Sequence, residues 1–461
     1  MFAPVSSSST MGCGWNATHG PRRGVAMIRF LFLRNFKNFP EETLRMGPFT
    51  VIVGANASGK SNIRDAFRFL HGIGRRYSLA DIIGGRYGAG GQAEWAQIRG
   101  TADEIARFGS QAFELGVELR VRVPSGEGLR RDRWAKYRIG VAIDDKDTGE
   151  FRVASEELQV GGMLVFTSHP PGADPVGKQD DDTHLLLRMA KSGAQKKYGH
   201  RIAVRPNQPA LTQIDEHKTV LRDHKLAAGA VVEVLGNMRF LDLSPSRMRE
   251  PAFPGQDVLG DGGENLPTVL KTISLDDRRR QALVDWTREL TPMDVRDIEF
   301  PTDPITGRIQ LAFREANDRL VSAYGASDGT LRFLAMLAAL LGTNPASLYF
   351  FEEIDNGIHP SRLRLLVELM ERQTAKGSTQ VVTTTHSPEL LSIMSDGTFE
   401  ATSIVCRRED SHGAVIRAVQ DLPDAPTLRR LQGLGRLHTS GWMEDAVLFS
   451  QSPAEGGDAD R

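Results

Sequence analysis

Gly54-Ala55-Asn56-Ala57-Ser58-Gly59-Lys60-Ser61 fills every position of the pattern G-x-x-x-x-G-K-[ST]. Its surroundings fit the pattern too. Phe49–Val53 is a short apolar run with the length of a buried strand, and it ends at Gly54. Ser61–Leu70 has helical spacing, with Ile63, Ala66, Phe67 and Leu70 on one face. A glycine-rich turn between such elements lets successive backbone N–H groups converge, and the helix N-terminus adds partial positive charge. The spacing therefore predicts a phosphate cradle built from Gly54, Asn56, Ser58, Gly59, Lys60, Ser61 and Asn62. Lys60 would reach the β- and γ-phosphates and the Ser61 hydroxyl would face Mg²⁺, so ATP and Mg²⁺ are the expected ligands. A chance glycine turn before a helix would explain the glycines alone, but not the full pattern in this context.

Downstream, Leu348-Tyr349-Phe350-Phe351 is an apolar strand that ends in Glu352-Glu353. Magnesium takes hard oxygen partners, so Glu352 is assigned to the metal; Glu353, one residue later, is assigned to orienting the attacking water. Taken alone, two glutamates could simply cap a strand at a wet edge. Gln380–Thr385 is a β-branched strand followed by His386-Ser387-Pro388. A histidine leaving a strand tip can donate to a terminal phosphate and sense its loss. Ser327-Asp328-Gly329 precedes a helix reaching Leu341; alone it reads as a helix cap, and as chemistry it is a second anion site.

These stretches together resemble the ABC ATPases, in the soluble branch that holds RecF, SMC and OLD-like proteins. The resemblance rests on Arg34-Asn35-Phe36-Lys37, on Gly59-Lys60-Ser61-Asn62 and on Ala326-Ser327-Asp328-Gly329-Thr330. It rests further on Glu352-Glu353-Ile354-Asp355-Asn356-Gly357-Ile358-His359-Pro360 and His386-Ser387-Pro388. Phe240–Pro245 and Leu259–Leu266 are similar to stretches of stand-alone predicted ATPases with an SDGTLRFL signature. The resemblance implies that Ser327, Asp328 and Gly329 reach across a homodimer to the γ-phosphate held by the other copy. It implies Glu353, His386 and Lys60 as catalytic, Ser61 and Glu352 as metal-binding, and His359 in the dimer-contacting loop. Glu352 departs from the usual aspartate by one methylene. No clear sensor-glutamine loop is visible; Gln213 in Ala210-Leu211-Thr212-Gln213-Ile214 is the candidate.

Composition excludes several classes. The 461 residues carry 57 Lys+Arg against 58 Asp+Glu, so a globally basic nucleic-acid binder is disfavoured while a local patch is not. Two cysteines far apart suggest no disulfide framework and fit a reducing cytoplasm. No apolar run approaches the roughly 18 residues of a spanning helix. Residues 1–26 are Ser-, Gly- and Pro-rich and read as a disordered extension, with Met27 as an alternative start.

The expected fold is α/β: an ABC-type P-loop NTPase with a mixed sheet covered by helices, plus an antiparallel β and helical insert between phosphate loop and signature. Domains are expected at 27–110 (N-terminal lobe), 111–236 (insert), 237–400 (C-terminal lobe) and 401–461 (strands and tail). Within the insert, Phe113–Val123, Tyr137–Ile143 and Phe151–Val160 read as antiparallel strands. Residues 172–182 read as a loop, and Thr183–Ser192 and His217–Leu235 as helical; Gly307–Phe313 reads as a strand.

The insert is long for a membrane transporter's ATPase and lacks the heptads of a long-coil SMC protein. The stretch after His386 is short for the Toprim nuclease of OLD-type proteins, and Asp458-Ala459-Asp460 lacks a preceding strand. Two functions compete. One is an ATPase whose closing and opening drives a DNA transaction or effector in repair or anti-phage defence. The other is an ATP-gated scaffold restraining a separate nuclease or Toprim-like partner with little turnover. DNA contact is suggested by Arg130-Arg131-Asp132-Arg133 with Trp134, and by Lys191 with Lys196-Lys197-Tyr198. Solvated loops would look the same in sequence.

Overall fold

The computed structural model describes residues 28–125, 129–145, 150–168, 184–190, 198–290, 294–408 and 413–449. The expectations for residues 1–26, for the loop 172–182, for Lys191, Lys196 and Lys197, and for Asp458 and Asp460 lie outside the described residues.

Phe49–Val53 is buried along its whole length, and it sits inside a six-stranded sheet. The strand order is Met238–Leu241, Leu348–Phe351, Gln380–Thr385, Phe49–Val53, Thr402–Arg407, Ala414–Ala418. The first five run parallel and the last pairs antiparallel. A parallel sheet covered on both faces needs apolar residues on both sides of every strand, which is why these strands read as unbroken apolar or β-branched runs. Alternation still sorts them. Ile52, Phe350, Val382 and Val405 join one core, while Val51, Val53, Tyr349, Phe351 and Val381 join the other.

The first core is shared with a second sheet. Eight antiparallel strands run in the order Tyr198–Val204, Leu185–Ala190, Met163–Thr167, Glu150–Val160, Leu129–Asp145, Ala112–Ser125, Ile28–Phe36, Phe39–Arg45. Their inner residues, among them Leu31, Leu115, Leu119, Tyr137 and Ile139, pack in one cluster with helices Lys60–Gly74 and Arg222–Gly236. Gln380 ties the two sheets: its amide accepts from Ile28 N–H at 3.0 Å and donates to Ile28 and Gly47 carbonyls at 2.8 Å. The second core holds helices Leu266–Ile273, Asp328–Leu341 and Pro360–Ala375 on the opposite face. No helix among the described residues is long and apolar enough to cross a membrane.

Several expectations are corrected. Ile28–Phe36 pairs directly with Ala112–Ser125, for example Leu31 with Val117, so a boundary at 110/111 cuts through one sheet. A boundary at 400/401 does the same, because Thr402–Arg407 pairs with Phe49–Val53. Leu185–Ala190 is a strand within the stretch expected to be helical; Leu185, Leu187 and Met189 alternate inward at period two, which outweighs the helix propensity of Leu and Met. Gly307–Phe313 is not one strand. Ile309 forms isolated bridges to Ala252 and Thr302, and the strand is Ala312–Glu315. The strands expected in 401–461 are Thr402–Arg407 and Ala414–Ala418, but three helices (Ala425–Gln432, Leu434–Thr439, Trp442–Phe449) follow them where only a tail was expected.

Candidate functional site

The parallel strands deliver their carboxyl ends to one edge, the place where open α/β sheets bind ligands. Val53 lies beside Thr385, and Thr383 beside Phe351. The phosphate loop, His386 and the two glutamates therefore leave the sheet from three adjacent strands.

The loop is shaped by close approach. A Cβ on Gly54 would lie 2.3 Å from the Val405 carbonyl oxygen, and Gly59 has φ +119° with its Cβ direction blocked at 2.7 Å by Asn38. Asn38 braces the loop: its amide donates to the Ser58 carbonyl at 3.1 Å and accepts from Asn62 at 2.8 Å. Lys60 Nζ donates to the Gly54 carbonyl at 2.6 Å and the Ala55 carbonyl at 2.9 Å. Burial draws the Lys60 pKa down, and Glu353 pulls it back up. Ser58 Oγ is buried with no hydrogen-bond partner among the described residues, a condition that costs free energy until something polar arrives. A lysine folded onto its own loop and an orphaned hydroxyl together fit an anion such as a nucleotide phosphate.

Beneath the loop, fully buried Asp65 receives Lys37 and Arg99, and Arg99 also donates to the Ser61 carbonyl. Lys37 belongs to the Arg34–Lys37 stretch quoted from the sequence; Asp65, Arg99 and Asn38 were missed. Asn38 is adjacent to that stretch, which was the available signal; nothing in the sequence around Asp65 marked it as buried.

Glu352 and Glu353 turn apart. Glu353 has φ +48°, a conformation non-glycine residues adopt only when surroundings hold it; its N–H donates to Thr384 Oγ1 at 3.1 Å. Its carboxylate lies 3.7 Å from His386 Nδ1, both side chains being about half exposed. Glu352 faces Arg64, at 3.7 Å. Asp355 accepts from Thr385 Oγ1 at 2.8 Å, pinning the following loop to the neighbouring strand.

Ser327 caps Asp328–Leu341, its hydroxyl accepting from Thr330 N–H at 3.1 Å. Arg249, also missed from sequence, donates to the Ala326 carbonyl at 2.9 Å and to Asp328 at 2.7 Å. Gly329 packs on the loop after the glutamates; a Cβ there would lie 2.2 Å from the Gly357 carbonyl oxygen. Ser327 and Asp328 are exposed, and the Ser327 hydrogen bonds go to Thr330. His359 caps Pro360–Ala375 through Ser361 N–H.

Gln213 is placed differently from a phosphate sensor. It is buried, and its amide is engaged by Arg205 and by the Gln208 carbonyl. No hydrogen bond of its side chain goes to the loop or the glutamates among the described residues.

The family described as "AAA domain, putative AbiEii toxin, Type IV TA system" matches residues 49–392. The chain belongs to this AAA-domain family. Among similar proteins, an ATP/GTP phosphatase of Helicobacter pylori (strain ATCC 700392 / 26695) is 26% identical over 410 residues, 85% of this chain and 95% of that one. A DNA replication and repair protein RecF of Allorhizobium ampelinum is 25% identical over 268 residues, 56% of this chain and 66% of that one. The SMC head domain from Thermotoga maritima shares 13% identity at TM-score 0.39, over 85% of this chain and 98% of that one; strand order, not this likeness, carries the fold. As an AAA-domain protein with a complete phosphate loop, the chain is an ATPase of the ABC type, in its RecF/SMC-like branch.

Proposed function

We propose that this ATPase clamps Mg-ATP between two copies of itself and uses hydrolysis to reopen, driving or regulating a DNA transaction or effector in repair or anti-phage defence. The observation that carries the reading is the Glu353–His386 pair, 3.7 Å apart at strand tips beside the phosphate loop. Lys60 and the loop N–H groups hold the phosphates. The Glu353 carboxylate takes the proton of the attacking water as its oxygen forms a bond to the γ-phosphorus and the bond to the ADP oxygen breaks. His386 donates a hydrogen bond to the γ-phosphate. Ser327 and Asp328, where the helix Asp328–Leu341 begins, are exposed, as a surface meeting a second copy's nucleotide must be. Ser61 and Glu352 would hold magnesium, which supplies charge neutralisation at the phosphates.

Replacing Glu353 tests this. Glu353→Gln should cut turnover by about 10²–10⁴-fold, the usual worth of a general base, while nucleotide affinity stays and ATP-bound dimers accumulate. Unchanged turnover removes Glu353 from the chemistry. If the variant loses turnover but keeps biological activity, the chain is instead an ATP-gated scaffold that restrains a separate nuclease or Toprim-like effector. DNA, on this reading, meets the outer face of the eight-stranded sheet, where Arg130, Lys136 and Trp134 are exposed.

A further inference from the structure

Glu352 is one methylene longer than an aspartate, and the extra reach has a partner. Arg64 lies on the helix Lys60–Gly74, one turn beyond Lys60 and three residues beyond Ser61, so its side chain shares a face with both. Its guanidinium nitrogen stands 3.7 Å from Glu352 Oε2, with side-chain exposures of 13% and 26%. Both are largely withdrawn from solvent, so their attraction is screened less than that of a surface pair. Among the described residues, this is the ion pair that Arg64 makes. The contact is made through Oε2 of the carboxylate. An aspartate at 352 would draw the carboxylate back from the helix and open the gap.

We propose that Arg64 is a positioning residue for Glu352: it fixes the carboxylate so that the second oxygen meets the divalent cation bound with the nucleotide, and glutamate stands at 352 because Arg64 stands at 64. The inference rests on Glu352 serving magnesium. On this reading Arg64 acts through Glu352, as residues behind a metal ligand do.

The test measures a fluorescent ADP analogue binding to the full chain in EDTA and in excess Mg²⁺. Arg64→Ala should reduce the Mg²⁺-dependent gain in affinity about tenfold, the lower end for losing a residue behind a ligand, with EDTA affinity within about twofold. Arg64→Lys keeps the charge and should recover part of the gain, which also serves should the alanine variant fold poorly. Glu352→Asp should show a similar loss, and the double variant Arg64→Ala, Glu352→Asp should lose little more than either alone, because the pair acts as a unit. An unchanged gain in Arg64→Ala, or additive losses, overturns the proposal. A larger gain also overturns it, since Arg64 would then be competing with magnesium. Glu352→Gln separates the two readings. If its gain is intact, Glu352 does not serve magnesium and the functional reading fails there; if its gain is lost while Arg64→Ala keeps its own, only the role of Arg64 fails.

Discussion

His71, on the helix Lys60–Gly74, stands between the rings of Trp95 (5.4 Å) and Phe240 (5.6 Å), with Nδ1 2.9 Å from the Leu235 carbonyl oxygen. Burial holds its pKa down from 6.5 to about 4, against the opposing pull of that carbonyl. The neutral ring donates Nδ1–H to Leu235; a charged ring would be stranded among aromatics. Because the folded pKa lies below the unfolded one, the folded state binds fewer protons, and stability is full above pH 6.5 and lost as pH falls toward 4. The loss amounts to about 3 kcal/mol. Buried Glu156, raised to about 7, shifts stability the other way over the same range, so the two chains are compared: by urea unfolding, going from pH 7 to pH 4.5 should cost the natural chain most of that amount more than it costs His71→Phe. Equal pH dependence in both would remove His71 as the cause. At the same scale, the left-handed backbone of Glu353 was invisible in sequence, since nothing in Phe351-Glu352-Glu353-Ile354 asks for a positive φ; Thr384 on the neighbouring strand holds it.

Elements couple through backbone contact. The helix Asp328–Leu341 begins against the loop that follows Glu353, with the Gly357 carbonyl too close to Gly329 for a side chain there, and Arg249 holds its start through the Ala326 carbonyl and Asp328. If Ser327 serves a partner's nucleotide, its position depends on that clamp. Arg249→Ala should leave nucleotide affinity of the isolated protomer unchanged and weaken ATP-driven dimerisation in a Glu353→Gln background by about tenfold, the worth of a charge-assisted hydrogen bond. Sedimentation with and without ATP measures it. Dimerisation equal to that of Glu353→Gln alone would confine Arg249 to fold maintenance. Elements with strong periodicity were legible: the strands around the phosphate loop and the helix after it lie where their apolar spacing put them. Leu185–Ala190 misled because a short, mostly apolar stretch carries both periods until its pairing partners are known.

For the whole molecule, one face of the eight-stranded sheet is exposed along its long strand Leu129–Asp145. Register places Arg130, Asp132, Trp134, Lys136 and Arg138 of one strand outward, opposite Arg122, Arg120 and Glu118 of its neighbour. Arg138 stacks 4.4 Å over Phe32, and Arg29 lies near Trp134 at 5.7 Å. Glu114, Glu118 and Asp132 neutralise part of this charge. Cations interleaved with rings can track a phosphate backbone and stack bases. Single-stranded DNA binding should therefore fall steeply with added salt, and Trp134→Ala should weaken it by about 1–3 kcal/mol. A filter assay showing no binding, or binding indifferent to salt and to Trp134, would falsify the assignment.

By itself the sequence determined the phosphate loop, its strand and helix, the paired glutamates, the histidine and the capped helix, because each is a local pattern whose chemistry needs adjacent residues. Tertiary structure alone decided that the strands beginning at Ile28 and at Ala112 are one sheet. It alone decided that Thr402–Arg407 completes the core, that Asp65 gathers Lys37 and Arg99, and that Glu352 meets Arg64. These are pairings between residues distant in the chain, and their free energy comes from burial and charge contact that exist only once the chain has closed on itself.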